Sequence, residues 1–416
     1  MKLIYRIISE LFLFISPLII LYRILIKKEN SQRFTERYGI NSKKRAKGKL
    51  IWFHCSSVGE LLSIVPLVEK LQANKKINQI LITTTTLSSS RIFEKLKLKK
   101  TIHQFFPIDN KYIINNFIKY WKPSIFFLCE SEIWPNLIEN IYKNKIKLIL
   151  INGRMTKKTF KRWKKIKNFS FEIFNKFDLC FSQNRETHQR LKLLGARKIF
   201  YFGNLKFSTS KNLRYDFLEK KTLNFFKNKK IIVTAASTHF NEEDFIIKNH
   251  LHFKINKKIK NIISIIIPRH IERVPEIKKE IESYSLKTHL HSWEKKVSKN
   301  IDIYIVDTYG ELNKFYKISY LVFMGGSLIN HGGQNPLEPA KLGCRIISGP
   351  HIFNFNEIYK KLDKMNISIK FNNYNSGIKI IEKNHNKRKL IYENKKLTNY
   401  GKKVLNSTFS QIKKII

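Results

Sequence analysis

Two continuous apolar runs, "PSIFFLCE" from Pro123 and "IKLILINGR" from Ile146, constrain the fold of this chain more than any other feature. A strand with one wet face alternates polar and apolar residues. A strand buried on both faces reads as an unbroken apolar run, and such strands belong to parallel sheets covered by helices. The runs recur with helical stretches between them. "KLIWFHCSS", "INQILITTTT", "IHQFFPID", "FDLCFSQN" and "KIFYFGNLKF" complete a first series. "ELLSIVPLVEKLQ" places Leu61, Ile64, Val65, Val68 and Leu71 on one helical face, and "ETHQRLKLLG" is a helix closed by Gly195. A polar stretch follows, and a second series starts at "KKIIVTAAST". It continues through "IISIIIPRH", "DIYIVDT", "YLVFMGGS" and "CRIISGP". Alternating strands and helices give parallel sheets with right-handed crossovers. The fold class is therefore α/β, with two Rossmann-like domains on either side of a cleft. With 416 residues the chain has room for two such domains. The boundary falls near Thr209–Lys220, which gives an anchor helix over 1–30, a first domain over 31–212 and a second over 213–416.

The N-terminus is built differently. Its apolar centre, Leu11 to Tyr22, is interrupted by Pro17, flanked by Glu10 and Arg23, and followed by Lys27, Lys28, Arg33 and Arg37. A full span needs roughly 20 apolar residues. Basic residues beside an apolar helix mark the cytoplasmic side of a membrane. The expectation is a membrane-associated anchor with the rest of the chain cytoplasmic. The alternative is a helix buried against the body. Lys and Arg outnumber Asp and Glu by 80 to 31, a formal charge of +49. The excess is spread through every region, as in a chain rich in Lys, Ile and Asn throughout, yet such a surface is drawn to phosphate-rich partners. No nucleic-acid-binding signature accompanies it. Cys55, Cys129, Cys180 and Cys344 lie in or beside apolar runs without CxxC spacing, as buried thiols of a reducing compartment do.

Parallel sheets present their ligands at the carboxyl ends of the strands, and the informative residues sit there. "MGGSLINHGGQNPLEPAKLG" sets Gly325, Gly326 and Ser327 after one strand, then a second glycine pair, Asn335 and Glu338. Glycines let a backbone approach a phosphate, and a helix N-terminus offers free N–H groups. Glu338 is placed to accept from ribose hydroxyls. The plainer reading is an ordinary glycine turn. Arg269 in "PRHIER" can bridge phosphate oxygens, with His270 and Arg273 nearby, and Ser237 and Thr238 in "AASTH" are further phosphate candidates. In the first series "FHCSSVGE" ends in Glu60 at the start of a helix, where the dipole favours a carboxylate. Glu60 is either a general base or a helix cap, and Glu130 and Glu132 after "IFFLC" are further carboxylates at the same edge. Neither a P-loop nor a complete GxGxxG is present, and no metal-ligand cluster stands out. A base in one domain and a sugar-nucleotide grip in the other suit a two-domain glycosyltransferase.

Taken in order, "RFTERYG", "FHCSSVGE", "ESEIWPNL", "INGRMT", "GNLKF", "ASTH", "PRHIER", "DTYGEL", "GGSLINHGGQNPLEPA" and "GPHIFNFNEI" resemble the 3-deoxy-D-manno-octulosonic acid (Kdo) transferases of Gram-negative bacteria nearly end to end. The resemblance implies a GT-B fold and an inverting transfer of Kdo from CMP-Kdo to a lipid A precursor at the cytoplasmic face of the inner membrane. It implies no cofactor and no specific nucleic-acid partner. Carried over, the proposed base falls on Glu60, nucleotide contacts on Arg269, Asn335 and Glu338, and the Lys of the G-x-L-K-F stretch on Lys206. One departure is "FHCSS", where relatives carry Ala or Val within the turn. A GT-B enzyme using a UDP-sugar donor is the alternative within the fold. A basic nucleic-acid-binding protein is the alternative outside it.

Overall fold

A computed structural model describes residues 1–210, 216–293 and 297–416. The chain divides into two compact units, Met1–Leu213 with Tyr400–Ile416, and Arg214–Asn399. The boundary expected at 212/213 lies outside the described residues. The terminal assignments differ from expectation in two ways. The N-terminal helix is part of the first unit, and residues 400–416 return to that unit instead of closing the second.

The first unit is a seven-stranded parallel sheet of β1 (Leu50–Cys55), β2 (Gln79–Thr84), β3 (Thr101–Phe105), β4 (Ile125–Cys129), β5 (Lys147–Gly153), β6 (Leu179–Ser182) and β7 (Ile199–Tyr201). Their order is β3-β2-β1-β4-β5-β6-β7. Successive side chains point to opposite faces of a strand, so the apolar runs feed two cores. Trp52, Phe126 and Leu128 pack with Phe117 and Trp121 on one face. Ile51, Phe53 and Phe127 pack with Ile64, Val68 and Leu71 on the other.

The second unit repeats the plan with β8 (Lys230–Thr238), β9 (Ile262–Pro268), β10 (Thr288–Leu290), β11 (Ile303–Ile305), β12 (Leu321–Met324), β13 (Arg345–Ser348) and β14 (Ser368–Lys370). Their order is β10-β11-β9-β8-β12-β13-β14, and every pairing is parallel. The order reverses between β1 and β4 in the first sheet and between β8 and β12 in the second, where β11 also inserts between β9 and β10. Open α/β sheets bind ligands outside the carboxyl ends at such a point.

The last helix, Ile391–Lys413, straddles the division between the units. Val404, Leu405 and Ile412 enter the core that Ile64 and Phe127 line. Gly401 lies against the turn Leu205–Phe207, where an added Cβ would stand 2.3 Å from the Phe207 carbonyl oxygen. Ser208 Oγ donates to the Gly401 carbonyl at 3.0 Å, and Phe207 meets Tyr400 edge to face. The obstacle is backbone, so no rotamer change relieves it. Gly401→Ala is expected to cost about 1–3 kcal/mol, the usual range for overpacking, and denaturant unfolding measures it. An unchanged midpoint would show that the helix does not grip the turn.

Candidate active site

At the reversal point of the first sheet the chain places three carboxylates and one ammonium. Glu60 stands in the first turn of the helix Val58–Gln72, whose N-cap Ser57 accepts from the Glu60 N–H. The cap fixes the backbone, and the Glu60 side chain folds back over the turn. Its Oε2 accepts from the Ser56 N–H at 2.8 Å and its Oε1 from the Ser56 hydroxyl at 2.9 Å. Glu60 is only 7% exposed. Burial pushes its carboxyl up to about 7, the nearby Glu130 and Glu132 push the same way, and the Ser56 hydrogen bonds oppose them. Gly59 meets nothing within 4 Å of an added Cβ, so space does not demand glycine beside the carboxylate.

Glu130 follows β4 directly and is buried with φ of +53°. A non-glycine residue in the left-handed region is uncommon and costs strain. Its Oε1 lies 2.6 Å from Lys206 Nζ and accepts from Asn152 Nδ2 at 3.2 Å. Asn152, the last residue but one of the neighbouring strand β5, is also buried and has φ of +51°. Its Oδ1 accepts from the Leu205 N–H at 2.9 Å, which ties down the short turn carrying Lys206. Glu132 is half-buried, and burial raises its pKa against the Ser56 hydrogen bond. The structure thus brings Glu60, Glu130, Glu132 and Lys206 together. Asn152 was quoted in "INGRMT" and given no role. The signal for it is a polar residue ending an unbroken apolar strand.

The second unit corrects part of the sequence reading. The glycine loop after β12 was expected to offer free amides to a phosphate, and those amides are taken. Glu242, fully buried, accepts from the N–H groups of Gly326, Ser327 and Leu328 at 2.6, 2.9 and 2.9 Å, and from His239 N–H at 2.9 Å. Ser327 is buried as well. Its hydroxyl donates to the Met324 carbonyl and accepts from Gly349 N–H. Gly325 is dictated by close approach, since a Cβ there would stand 2.1 Å from the Ser237 carbonyl oxygen. Ser237 has φ of +56° and is half-buried. The helix after the second glycine pair is only Leu337–Lys341, with Pro336 as its N-cap. Asn335 Oδ1 accepts from Leu337 N–H at 3.2 Å. Burial raises the pKa of Glu338, and Lys341 opposes the rise.

What faces outward at this edge is a cluster of cations and imidazoles. Arg269 and His270 follow β9 and are exposed. Among the described residues the Arg269 guanidinium has no hydrogen-bond or ion-pair partner, whereas Arg273 is tied to buried Glu243 at 3.1 Å. His239 follows β8, with its ring 4.3 Å from His331 and 6.0 Å from His270. Burial depresses His239 to about 4, and His331, His270, Arg269 and Arg273 add to the effect. His239 stands in "ASTH" beside the two hydroxyl residues, and an imidazole one residue beyond a strand end is the sequence signal for it.

A sequence profile described as "3-Deoxy-D-manno-octulosonic-acid transferase (kdotransferase)" matches residues 32–209. A "3-deoxy-D-manno-octulosonic acid transferase" of Rickettsia bellii is 34% identical over 359 residues, covering 86% of this chain and 84% of its own. The chain belongs to the 3-deoxy-D-manno-octulosonic acid transferase family. A relative of the same name from Haemophilus influenzae is 31% identical over 362 residues, covering 85% and 84%. The fold is of the GT-B type. A solved UDP-N-acetylglucosamine 2-epimerase superposes with a TM-score of 0.60 at 12% identity, over 88% of this chain and 95% of that one. A glycosyltransferase of kitacinnamycin gives 0.52 at 8%, over 89% and 100%. This Kdo transferase family member is therefore a glycosyltransferase, and the carboxylate cluster lies within the 32–209 match.

Replacing Glu60 by Gln removes a buried group that titrates near 7 in the fold and near about 4.3 when unfolded. A raised folded pKa gives stability that is complete below the unfolded value and lost as pH rises through 7. Glu60→Gln is thus expected to be more stable than the parent by about 1–3 kcal/mol at pH 8, with the gap closing at pH 4. Denaturant midpoints at the two pH values measure this, and equal midpoints at pH 8 would contradict it.

Proposed function

We propose that this protein transfers Kdo from CMP-Kdo to a lipid A precursor with inversion, and that Glu60 is the general base. The single observation carrying the assignment is Glu60 itself: a carboxylate oriented by both Ser56 donors and raised to about 7. A base is most effective when its pKa lies near the working pH. In the step proposed, a sugar hydroxyl of the acceptor gives its proton to Glu60 while its oxygen bonds to the anomeric carbon of Kdo. The bond from that carbon to the phosphate oxygen breaks, and CMP leaves with the electron pair. The developing charge is oxocarbenium-like at the sugar, as in other glycosyl transfers. Arg269, with its free guanidinium, would stabilise the departing phosphate. Glu338 and Asn335 would contact the nucleotide. The family membership supports the donor assignment. Glu130 and Glu132 remain the alternatives for the base.

Product masses after incubation with CMP-Kdo and tetra-acylated lipid A precursor test the reading. The expected result is addition of Kdo by the parent and about 10²–10⁴-fold slower turnover by Glu60→Gln. Arg269→Ala should weaken CMP binding by about 1.5–3 kcal/mol, the range for a charge-assisted contact. Transfer from a UDP-sugar instead would favour the other GT-B chemistry, and full activity of Glu60→Gln would move the base to Glu130 or Glu132.

We also propose that the protein works at the cytoplasmic face of the inner membrane, on an N-terminal helix lying in the membrane surface. The helix Lys2–Leu25 is long and apolar enough to cross a bilayer, but five of its polar residues are engaged with the rest of the first unit, while Glu10 is exposed. Lys2 pairs with Glu139 at 2.8 Å, and Tyr5 donates to Asp109 at 2.7 Å. Ser9 donates to the Asp109 carbonyl, Ser16 to the Tyr38 hydroxyl, and Arg23 pairs with Glu29. Leu3, Phe14, Leu18 and Leu25 point the other way, with Phe14 86% and Leu18 71% exposed. A polar side pinned to the domain and an apolar side facing outward suit an interfacial helix. The helix Lys157–Lys165, with no buried residue and five Lys and one Arg in nine positions, would add attraction to anionic headgroups. Phe14→Asp with Leu18→Asp should release the protein from anionic vesicles in flotation without lowering its melting temperature. Continued flotation of the double variant would refute the membrane face.

A further inference from the structure

Asn152 is the buried polar group that the transfer chemistry leaves without a role. It is the last residue but one of β5 and is left-handed, beside Glu130, which follows β4 in the same conformation. The two backbones are locked together. Glu130 N–H donates to the Ile151 carbonyl at 3.0 Å, and Arg154 N–H donates to the Glu130 carbonyl at 3.1 Å. If the backbone were the only demand, glycine would meet it without strain. The Asn152 side chain instead makes one bond in each direction, to Glu130 Oε1 and from Leu205 N–H. The second bond matters because Lys206 is the next residue. The turn Leu205–Phe207 has a cap of its own, Asn204, whose side chain accepts from Lys206 N–H at 2.9 Å. That cap shapes the turn but does not attach it to β4.

We propose that Asn152 is a positioning residue of the transfer reaction, fastening the Lys206 turn to Glu130 so that the ammonium–carboxylate pair stands fixed beside Glu60. The proposal rests on the reading of Glu60 as the base. Around Glu60 the titratable groups are Glu130, Glu132, Cys55 and Cys129, and Lys206 reaches this set through Glu130. Lys206 is the ammonium that offsets Glu130. If its turn drifts, Glu130 bears on Glu60 with less compensation, Glu60 holds its proton to higher pH, and the base is lost from part of the working range.

Two variants of the full-length protein separate this from a structural role. Asn152→Gly suits the left-handed backbone and deletes both side-chain bonds. Asn152→Asp keeps an acceptor for Leu205 N–H and loses the donor to Glu130. Both are expected to lower kcat about tenfold or more, as small misplacements at a reacting centre do. Asn152→Gly should also shift the acid limb of the rate profile upward by about half a unit or more, with the donor KM nearly unchanged. Asn152→Gly with the parent's kcat and pH profile would overturn the proposal, because the residue would then serve its backbone conformation alone. A carbon-13 carboxyl titration of Glu60, without substrate, gives a readout independent of the transfer reaction. Its midpoint should rise in Asn152→Gly, and an unmoved midpoint would refute the positioning role. Failure of the parent to transfer Kdo would instead defeat the functional reading, and the titration would still decide what Asn152 does.

Discussion

On the proposed reading, the contact between Glu130 and Lys206 is the interaction on which the chemistry of the first unit depends. Three carboxylates at one sheet edge would repel one another and hold protons. One ammonium at 2.6 Å from Glu130 Oε1 offsets the most buried of them. Removing one partner of such a pair leaves an uncompensated buried charge, which costs more than the pair itself contributes. The position of Lys206 is therefore a structural requirement. It is met by elements far apart in sequence: Asn152 on β5, Asn204 in the turn, and Gly401 and Tyr400 in the last helix. That helix returns to the first unit with Val404, Leu405 and Ile412 in the core. The geometry beside Glu60 thus depends on the C-terminus of the chain.

Both sheets place their polar groups at the carboxyl edge by the same means. Where the strand order reverses, the connections on either side depart in opposite directions and leave room above the strand ends. In the first sheet the room is occupied by side chains that a substrate could meet. In the second it is partly filled by the protein itself. Glu242 satisfies four amides, of which those of Gly326 and Ser327 would otherwise be buried donors without partners, and a buried unpaired donor is costly. The loop is rigid on that account, and Gly325 and Gly349 are required because neighbouring backbone passes within 2.4 Å of where a Cβ would sit.

Much of this was legible in the sequence for a physical reason. Burial of a strand on both faces writes an unbroken apolar run, and all the longer strands were read from such runs. The edge strands β10 (Thr288–Leu290) and β14 (Ser368–Lys370) escaped because each is three residues long and mixes polar with apolar side chains, whereas the equally short edge strand β7 is Ile-Phe-Tyr and reads as apolar. The return of residues 400–416 to the first unit does not show in the sequence because Val404, Leu405 and Ile412 are scattered through a Lys- and Asn-rich segment. Periodicity shows that such a face is buried and does not say against what. Glu60, Glu130, Glu132 and Lys206 were identified individually, and their meeting required the strand order. The glycine loop misled in one respect. Glycine is equally necessary where backbone meets a phosphate and where backbone meets backbone, and only the Ser237 carbonyl at 2.1 Å decides between them.

With its amides occupied, the second unit has side chains to offer an anion at this edge. Arg269 is the permanent charge there without a partner among the described residues, while His239, depressed to about 4, is neutral near pH 7. A phosphate entering beside these imidazoles favours their charged forms, since an opposite charge raises a histidine pKa. On the proposed reading, donor binding takes up protons and is favoured by lower pH. Glu60 must be free of its proton to accept one from the acceptor, which is favoured above about 7. On that reading the two units demand opposite changes in proton occupancy, and burial underlies both: desolvation raises the carboxyl of Glu60 and lowers the imidazole of His239 because it penalises the charged form of either.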